Sequence, residues 1–339
     1  MKKKIAILGS TGSIGKTLIN ILKKDKKNFE IFLLSADENY KELMKQAKLF
    51  KVNNLIITNK DSYKKIKAKK ISNKTKIFNN FESFKKIFKK KIHYTMSSIS
   101  GIEGLKPTIE MIKYTKNIAI ANKEAIICGW NLIKKEIKKY KTIFLPVDSE
   151  HFSIWEILNS KFTPKIEKIY ITASGGPFLH KSIKEIKKVK IHQALKHPNW
   201  IMGKKISIDS ATMMNKALEI IEAQYLFNLK PEKINAIIHP QAVIHALLNY
   251  KNGASTAILS KPDMKIPISS LFFQFNKYEK DMELLDLTKY SNLEFISINE
   301  KKFPAMKLVY HVMRAGGLFP HVFNYLNELL VNLFLEKKI

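Results

Sequence analysis

Short apolar runs alternate with amphipathic stretches through the first half of the chain. Residues 5–8 (IAIL), 29–35, 55–58, 117–121 and 142–146 read as strands. Their apolar character on successive positions is what strands buried on both faces require. Between them, residues 14–23, 40–50, 105–114 and 123–138 carry apolar side chains at helical spacing. This alternation predicts a parallel sheet covered on both sides by helices. From about Ser149 the rhythm changes. A helix-like segment at 153–158 leads to a strand at 166–172, a glycine turn, a loop holding Pro198 and a long helix over 211–227. Runs at 236–238 and 254–259 predict a second sheet, and the stretch after Leu271 reads as largely helical apart from a loop at 301–304.

Composition narrows the class. A chain of 339 residues with 45% hydrophobic residues is long enough for two or three packed domains. Its longest apolar stretches, such as 268–275, fall well short of the roughly 20 residues a membrane span needs. Lys2, Lys3 and Lys4 lead straight into the first strand, which leaves no room for a signal peptide, and the single Cys128 suits a reducing cytoplasm. A formal charge of +31 suggests nucleic-acid binding, yet Arg314 is the only arginine among the 60 basic side chains. Arginine carries most bidentate recognition of bases and phosphates. The lysine excess therefore reads as solubility and non-specific contact, with no specific nucleic-acid partner expected.

Five segments carry candidate chemistry. GSTGSIG (residues 9–15) lies between the first strand and the first helix. There, glycines let the backbone approach a pyrophosphate and the helix N-terminus stabilises its charge, although a simple tight turn would use the same residues. In PVDSEH (146–151), Asp148 and Glu150 stand two apart. In extended backbone their carboxylates face one side, where a divalent ion is the usual compensation, and a solvated loop is the plainer reading. In the run 208–219, Ser210 lies near a helix cap, and Asn215, Lys216 and Glu219 share one helical face. Neighbouring Met213, Met214, Leu218 and Ile221 leave that face little solvent, although Lys and Glu at this spacing are commonly a solvated ion pair. Glu219 with Asp148 and Glu150 would form an all-oxygen site suited to Mg²⁺ or Mn²⁺. SGGPF (174–178) offers an anion cradle or a turn. HPNWIMG (197–203) places Trp200 in a loop, where it packs on a neighbour or closes as a lid.

Together with ANKE (121–124), HPQAVIH (239–245) and PDMKIPI (262–268), these runs resemble, in order and spacing, the signature segments of the 1-deoxy-D-xylulose 5-phosphate reductoisomerase family. The resemblance covers nearly the whole chain. It implies conversion of 1-deoxy-D-xylulose 5-phosphate into 2-C-methyl-D-erythritol 4-phosphate with NADPH and a divalent metal, an early step toward isoprenoid precursors. It also implies an α/β fold with a Rossmann-like NADPH-binding domain over 1–148, an α+β catalytic and dimerisation domain over 149–273, and a linker with a short helical C-terminal region over 274–339. A cytoplasmic homodimer with no membrane association is the expected form. By motif, Asp148, Glu150 and Glu219 would hold Mn²⁺ or Mg²⁺. Ser174, Ser210, Asn215 and Lys216 would grip the phosphate. Lys123, Ser149 and His197 would touch the substrate, with Trp200 closing over it. Lys123 would join the three acids as a catalytic group. Thr11, Gly12, Ser13, Ile14, Asn122, Glu124 and Gly203 would line the NADPH site, with Asp37, Glu38 and Asn39 at its ribose end.

Departures from the family pattern fall at Ala217 and Ala242, where a glycine and a serine are usual, and at Asp37-Glu38-Asn39, where the family tends to Gly-Lys-Asn. Acids at the end of a second strand receive a ribose 2′-hydroxyl and repel a 2′-phosphate. The family also continues into further helices past the region matching 316–339, so the helical C-terminal region is expected to be shortened. The alternatives are a related nicotinamide-dependent dehydrogenase and a non-catalytic homologue that binds RNA or a protein partner.

Overall fold

The computed structural model describes residues 2–69, 71–160, 164–198, 203–273 and 282–339. In chain order its first part runs β1 (Lys3–Leu8), α1 (Ser13–Lys23), β2 (Phe29–Ala36), α2 (Tyr40–Phe50), β3 (Asn54–Ile57), α3 (Lys60–Lys67) and β4 (Lys76–Phe78). It continues α4 (Phe84–Ile87), β5 (Ile92–Ser97), α5 (Leu105–Ile112), β6 (Thr115–Ile120), α6 (Lys123–Tyr140) and β7 (Ile143–Pro146). The second part runs α7 (Ser149–Leu158), β8 (Ile166–Ala173), α8 (Ile183–Ile186), α9 (Ile191–Ala194), α10 (Lys204–Ala211), α11 (Met214–Phe227) and β9 (Ile234–Ile238). Then follow β10 (Ile244–Tyr250), β11 (Ser255–Leu259), α12 (Lys265–Phe273), α13 (Ala305–Ala315) and α14 (Phe319–Leu335). The chain forms two compact units, Met1–Asp148 with Met264–Asp281, and Ser149–Asp263 with Met282–Ile339.

The first unit is built on a seven-stranded sheet in the order β4-β3-β2-β1-β5-β6-β7. Every pairing in it is parallel, so crossover helices cover both faces. The apolar runs are apolar for that reason: Ile5, Ala6, Ile7 and Leu8 are fully buried. Strand order reverses between β1 and β5, and a doubly wound sheet opens a crevice for ligands at such a point. An aromatic cluster of Phe84, Phe88 and Tyr114 fills one side of the core, with Phe88 and Tyr114 stacked at 5.2 Å.

The second unit holds a mixed sheet in the order β11-β10-β8-β9, with β8 and β9 parallel and β10 antiparallel to both its neighbours. Helix α7 packs on β10 and β11, and α11 packs on β8 and β9. Helix α14 buries Val331 against Phe178, Ile208 and Ala211, while Asn327 of α14 donates to Asp209 at 2.8 Å. This braces α10 from outside. Among the described residues no helix is long and apolar enough to cross a membrane.

Four local expectations are corrected. Helix α7 begins at Ser149, not near 153, so Asp148 and Glu150 do not lie in extended backbone. The long helix expected over 211–227 starts at Met214, and Ala211 instead ends a separate helix, α10, with the break at Thr212–Met213, where Met213 takes a left-handed φ of 61°. Ser210 is consequently in the last turn of α10 and caps nothing. The region after Leu271 is less helical than expected: residues 282–304 are mostly irregular, with one bridge from Ile296 to Ile238, and helix resumes at Ala305. Strands β4, β5 and β10, which lack a clean aliphatic run, complete the two sheets beyond the strands read from sequence.

Candidate functional site

In the first unit the candidate residues gather at the C-terminal edge of the parallel sheet. Gly9 has φ +79°, and a Cβ there would lie 2.7 Å from the Ser98 carbonyl oxygen that follows β5. A Cβ on Gly15 would meet the Gly9 carbonyl oxygen at 2.5 Å. One glycine makes the turn and the other lets α1 pack against it, which are the roles a dinucleotide loop asks of them. Helix α1 starts after Gly12 with no capping side chain and no acid in its first turn. The amides beside Thr11, Ser13 and Ile14 are thus left to an anion, as a pyrophosphate site requires. Asp37, Glu38 and Asn39 follow β2, and Asn39 caps α2 by accepting from the Glu42 amide at 3.1 Å.

Asn122 caps α6, accepting from the Ala125 amide at 2.9 Å while its own amide donates to the Ile99 and Gly101 carbonyls. This joins the end of β6 to the turn after β5. Next to it Lys123 is nearly buried and pairs with Asp148 at 3.0 Å, and Glu124 is buried in the same first turn.

In the second unit a compact charged cluster forms where α7 meets α11. Lys216 is 4% exposed and places its ammonium 2.6 Å from Glu150 Oε1, in contact also with Glu219 Oε2. Glu219 is 2% exposed, and its other oxygen accepts from Asn215 Nδ2 at 2.5 Å. Ser149 Oγ donates to Glu150 Oε2 at 2.6 Å. Burial alone lowers the Lys216 pKa, but the charges and hydrogen bonds of Glu150 and Glu219 outweigh it and hold the ammonium above the ordinary lysine value. Two carboxylates therefore share one cation, leaving a net negative, oxygen-lined cluster. That donor set fits a hard divalent ion. Asp148 directly precedes the first turn of α7 in the chain.

The remaining polar residues cluster at the turn after β8. Gly175 and Gly176 have φ of +85° and +63°, and a Cβ on Gly176 would lie 2.7 Å from the Ser210 carbonyl oxygen. Only glycine lets this turn rest on the end of α10. Ser174 Oγ and His197 Nε2 share a hydrogen bond of 3.2 Å, and burial holds the half-buried His197 below its ordinary pKa. Gly203 is the N-cap residue of α10, and a Cβ there would stand in open space. Trp200 lies outside the described residues.

One pair escaped the sequence reading. His151 is fully buried; its Nε2–H donates to the Glu219 carbonyl oxygen at 2.9 Å, and its Nδ1 faces Glu222 Oε2 at 3.5 Å. The available signals were a histidine directly after Glu150 and a second acid one turn beyond Glu219.

Family models match three stretches: the 1-deoxy-D-xylulose 5-phosphate reductoisomerase model over residues 5–129, its C-terminal domain over 144–227, and the DXP reductoisomerase C-terminal domain over 259–339. A relative named 1-deoxy-D-xylulose 5-phosphate reductoisomerase from Pelagibacter ubique (strain HTCC1062) is 51% identical over 341 residues, covering 99% of this chain and 87% of its own. A crystal structure of DOX-P reductoisomerase in complex with NADPH, fosmidomycin and magnesium superposes with a TM-score of 0.92 at 35% identity, covering 99% of this chain and 86% of that one. The Zymomonas mobilis enzyme in complex with NADPH gives 0.90 at 34% identity, covering 100% and 88%. The chain belongs to the 1-deoxy-D-xylulose 5-phosphate reductoisomerase family.

Proposed function

We infer that the chain converts 1-deoxy-D-xylulose 5-phosphate into 2-C-methyl-D-erythritol 4-phosphate, and we assign its site residues their parts in that reaction. The observation that carries the residue assignment is the pair of carboxylates, buried Glu219 and partly buried Glu150, held on one ammonium. With Asp148, which the family resemblance adds, they would hold Mg²⁺ or Mn²⁺, which when bound would supply Lewis-acid polarisation of the ketone. NADPH supplies the hydride; the loop after β1 and the uncapped start of α1 receive its pyrophosphate, and Asn122 and Glu124 border the site at α6.

Ser174, the amides of Gly175 and Gly176, Ser210 and Asn215 bind the substrate phosphate, a fixed handle that orients the reacting end. Lys216 serves two partners. Its ammonium neutralises Glu150 and Glu219, and it can turn to the phosphate once another cation compensates those carboxylates. Lys123 and Ser149 bind substrate oxygens beside the metal set. Neutral His197, tied to Ser174, offers a hydrogen bond without adding charge. A homodimer and a cytoplasmic location rest on the resemblance and belong to the same proposal; light scattering after size exclusion tests the first. The reaction is tested with purified protein, the xylulose phosphate, Mn²⁺ and NADPH, following absorbance and identifying the product by mass. Oxidation of NADPH without a branched tetritol phosphate would point to a plain dehydrogenase.

A further inference from the structure

We propose that Asp37, held in place by Thr58, sets the nicotinamide-cofactor preference of this chain and brings NADH into use beside NADPH. The inference rests on the dinucleotide-binding reading of the first unit and concerns which dinucleotide is taken. Strands β2 and β3 run parallel with Ala36 opposite Ile57, and the Thr58 amide donates to the Ala36 carbonyl at 3.2 Å. Asp37 and Thr58 are thus the first residues past the sheet edge on adjacent strands. Thr58 Oγ1 donates to Asp37 Oδ1 at 2.6 Å, and Ser62 Oγ donates to the Glu38 carbonyl at 2.8 Å. Asn39 is fixed as the cap of α2. The acidic turn is therefore anchored at all three residues, although the Asp37 and Glu38 side chains are exposed.

The same turn is tied to the loop that receives the pyrophosphate. Gln46 of α2 donates to the Ser10 carbonyl at 3.0 Å, and Ser35 Oγ at the end of β2 accepts from the Gly9 amide at 3.0 Å. On the other side of Asp37, Thr58 lines a cavity of about 180 Å³ with Asn79, Asn80, Phe81, Lys106 and Glu110. Phe81 offers a ring face to a purine, and Asn79, Asn80 and the carboxylates of Glu82 and Glu110 line the polar side of the cavity, although Asn80 also donates to Asn79 at 3.1 Å. Pyrophosphate loop, acidic turn and purine-sized cavity follow one another along the sheet edge, so the adenosine ribose falls at Asp37. There a carboxylate with one oxygen on Thr58 offers the other to a ribose 2′-hydroxyl. Two adjacent acids repel a 2′-phosphate, while the ammonium of Lys69 lies over the Tyr40 ring, 5.5 Å from its centroid.

The test is equilibrium binding of NADPH and NADH to the whole chain without substrate, read by nucleotide fluorescence, for wild type, Asp37→Asn and Thr58→Val. In the wild type the two Kd values should agree within about thirtyfold, the scale of one or two hydrogen bonds against one repulsion. Asp37→Asn should tighten NADPH and weaken NADH, widening the ratio by about tenfold. Thr58→Val should weaken NADH severalfold while circular dichroism stays unchanged. A wild-type ratio above about thirtyfold, or equal effects of Asp37→Asn on both nucleotides, would overturn the proposal and leave lysines such as Lys41 to receive the 2′-phosphate. Failure of the wild type to bind either nucleotide would overturn the dinucleotide reading itself.

Discussion

Lys216→Met separates the two tasks assigned to this lysine. Methionine keeps most of the buried stem and removes the charge, so Glu150 and Glu219 lose the cation they share. Their side chains are only 13% and 3% exposed, and removing one partner from a buried ion pair costs about 3–5 kcal/mol. Each carboxylate keeps a donor, Ser149 Oγ at 2.6 Å for Glu150 and Asn215 Nδ2 at 2.5 Å for Glu219. That places the expected loss just below this range, at about 2–3 kcal/mol. A divalent cation on the same oxygens works in the opposite direction, contributing about 2.7 kcal/mol at a hundredfold excess over its Kd. In EDTA the variant should therefore unfold at distinctly lower urea than wild type. With excess Mg²⁺ or Mn²⁺ the gap should close, because the metal no longer has to displace an ammonium. Urea unfolding of both proteins with and without metal reads all four values. Equal increments from metal in wild type and variant would refute the idea that lysine and metal compete for these carboxylates.

Glu219→Gln should leave the fold intact, since Lys216 retains Glu150, but should lower activity at least a hundredfold and raise the metal concentration needed for half-maximal rate. Gly15→Ala puts a methyl 2.5 Å from the Gly9 carbonyl oxygen; nucleotide binding should fall more than about tenfold, a loss of about 1.4 kcal/mol or more, as titration with NADPH would show. Burial holds His197 below the ordinary histidine pKa of about 6.5, so in acid the unfolded chain takes up this proton before the folded one. Its contribution to stability is full above pH 6.5 and is lost as pH falls from there through the depressed folded pKa. His197→Gln should therefore flatten the decline in melting temperature between pH 7 and 5.

The parallel sheet was legible because strands buried on both faces must be apolar throughout, and 5–8, 29–35 and 117–121 are. Strand β5, with the sequence IHYTMS, was not: its burial comes from lying between β1 and β6, a relation between distant segments. The break between α10 and α11 was equally hidden. Met213 carries the left-handed turn with no glycine or proline to mark it, so packing around the turn overrides local propensity. At the candidate metal set the residues read from sequence came with the wrong geometry. Asp148 and Glu150 were paired as alternate positions of a strand, whereas α7 starts between them.

His151 and Glu222 show where sequence spacing stops being informative. Glu219 and Glu222 stand three apart on α11, so a shared face could be read directly. What that face meets could not, because the partner comes from α7, 68 residues away. His151 donates one ring nitrogen to the backbone of Glu219 and turns the other to Glu222, with both side chains at most 3% exposed. The histidine therefore holds α11 from behind the carboxylate that α11 presents to the metal set. A carbonyl cannot donate, so Nε2 is the nitrogen that carries the hydrogen of this bond, and Nδ1 is the one turned to the Glu222 carboxylate. The negative charge that a divalent cation would meet is that of Glu150 and Glu219, two carboxylates on the one ammonium of Lys216.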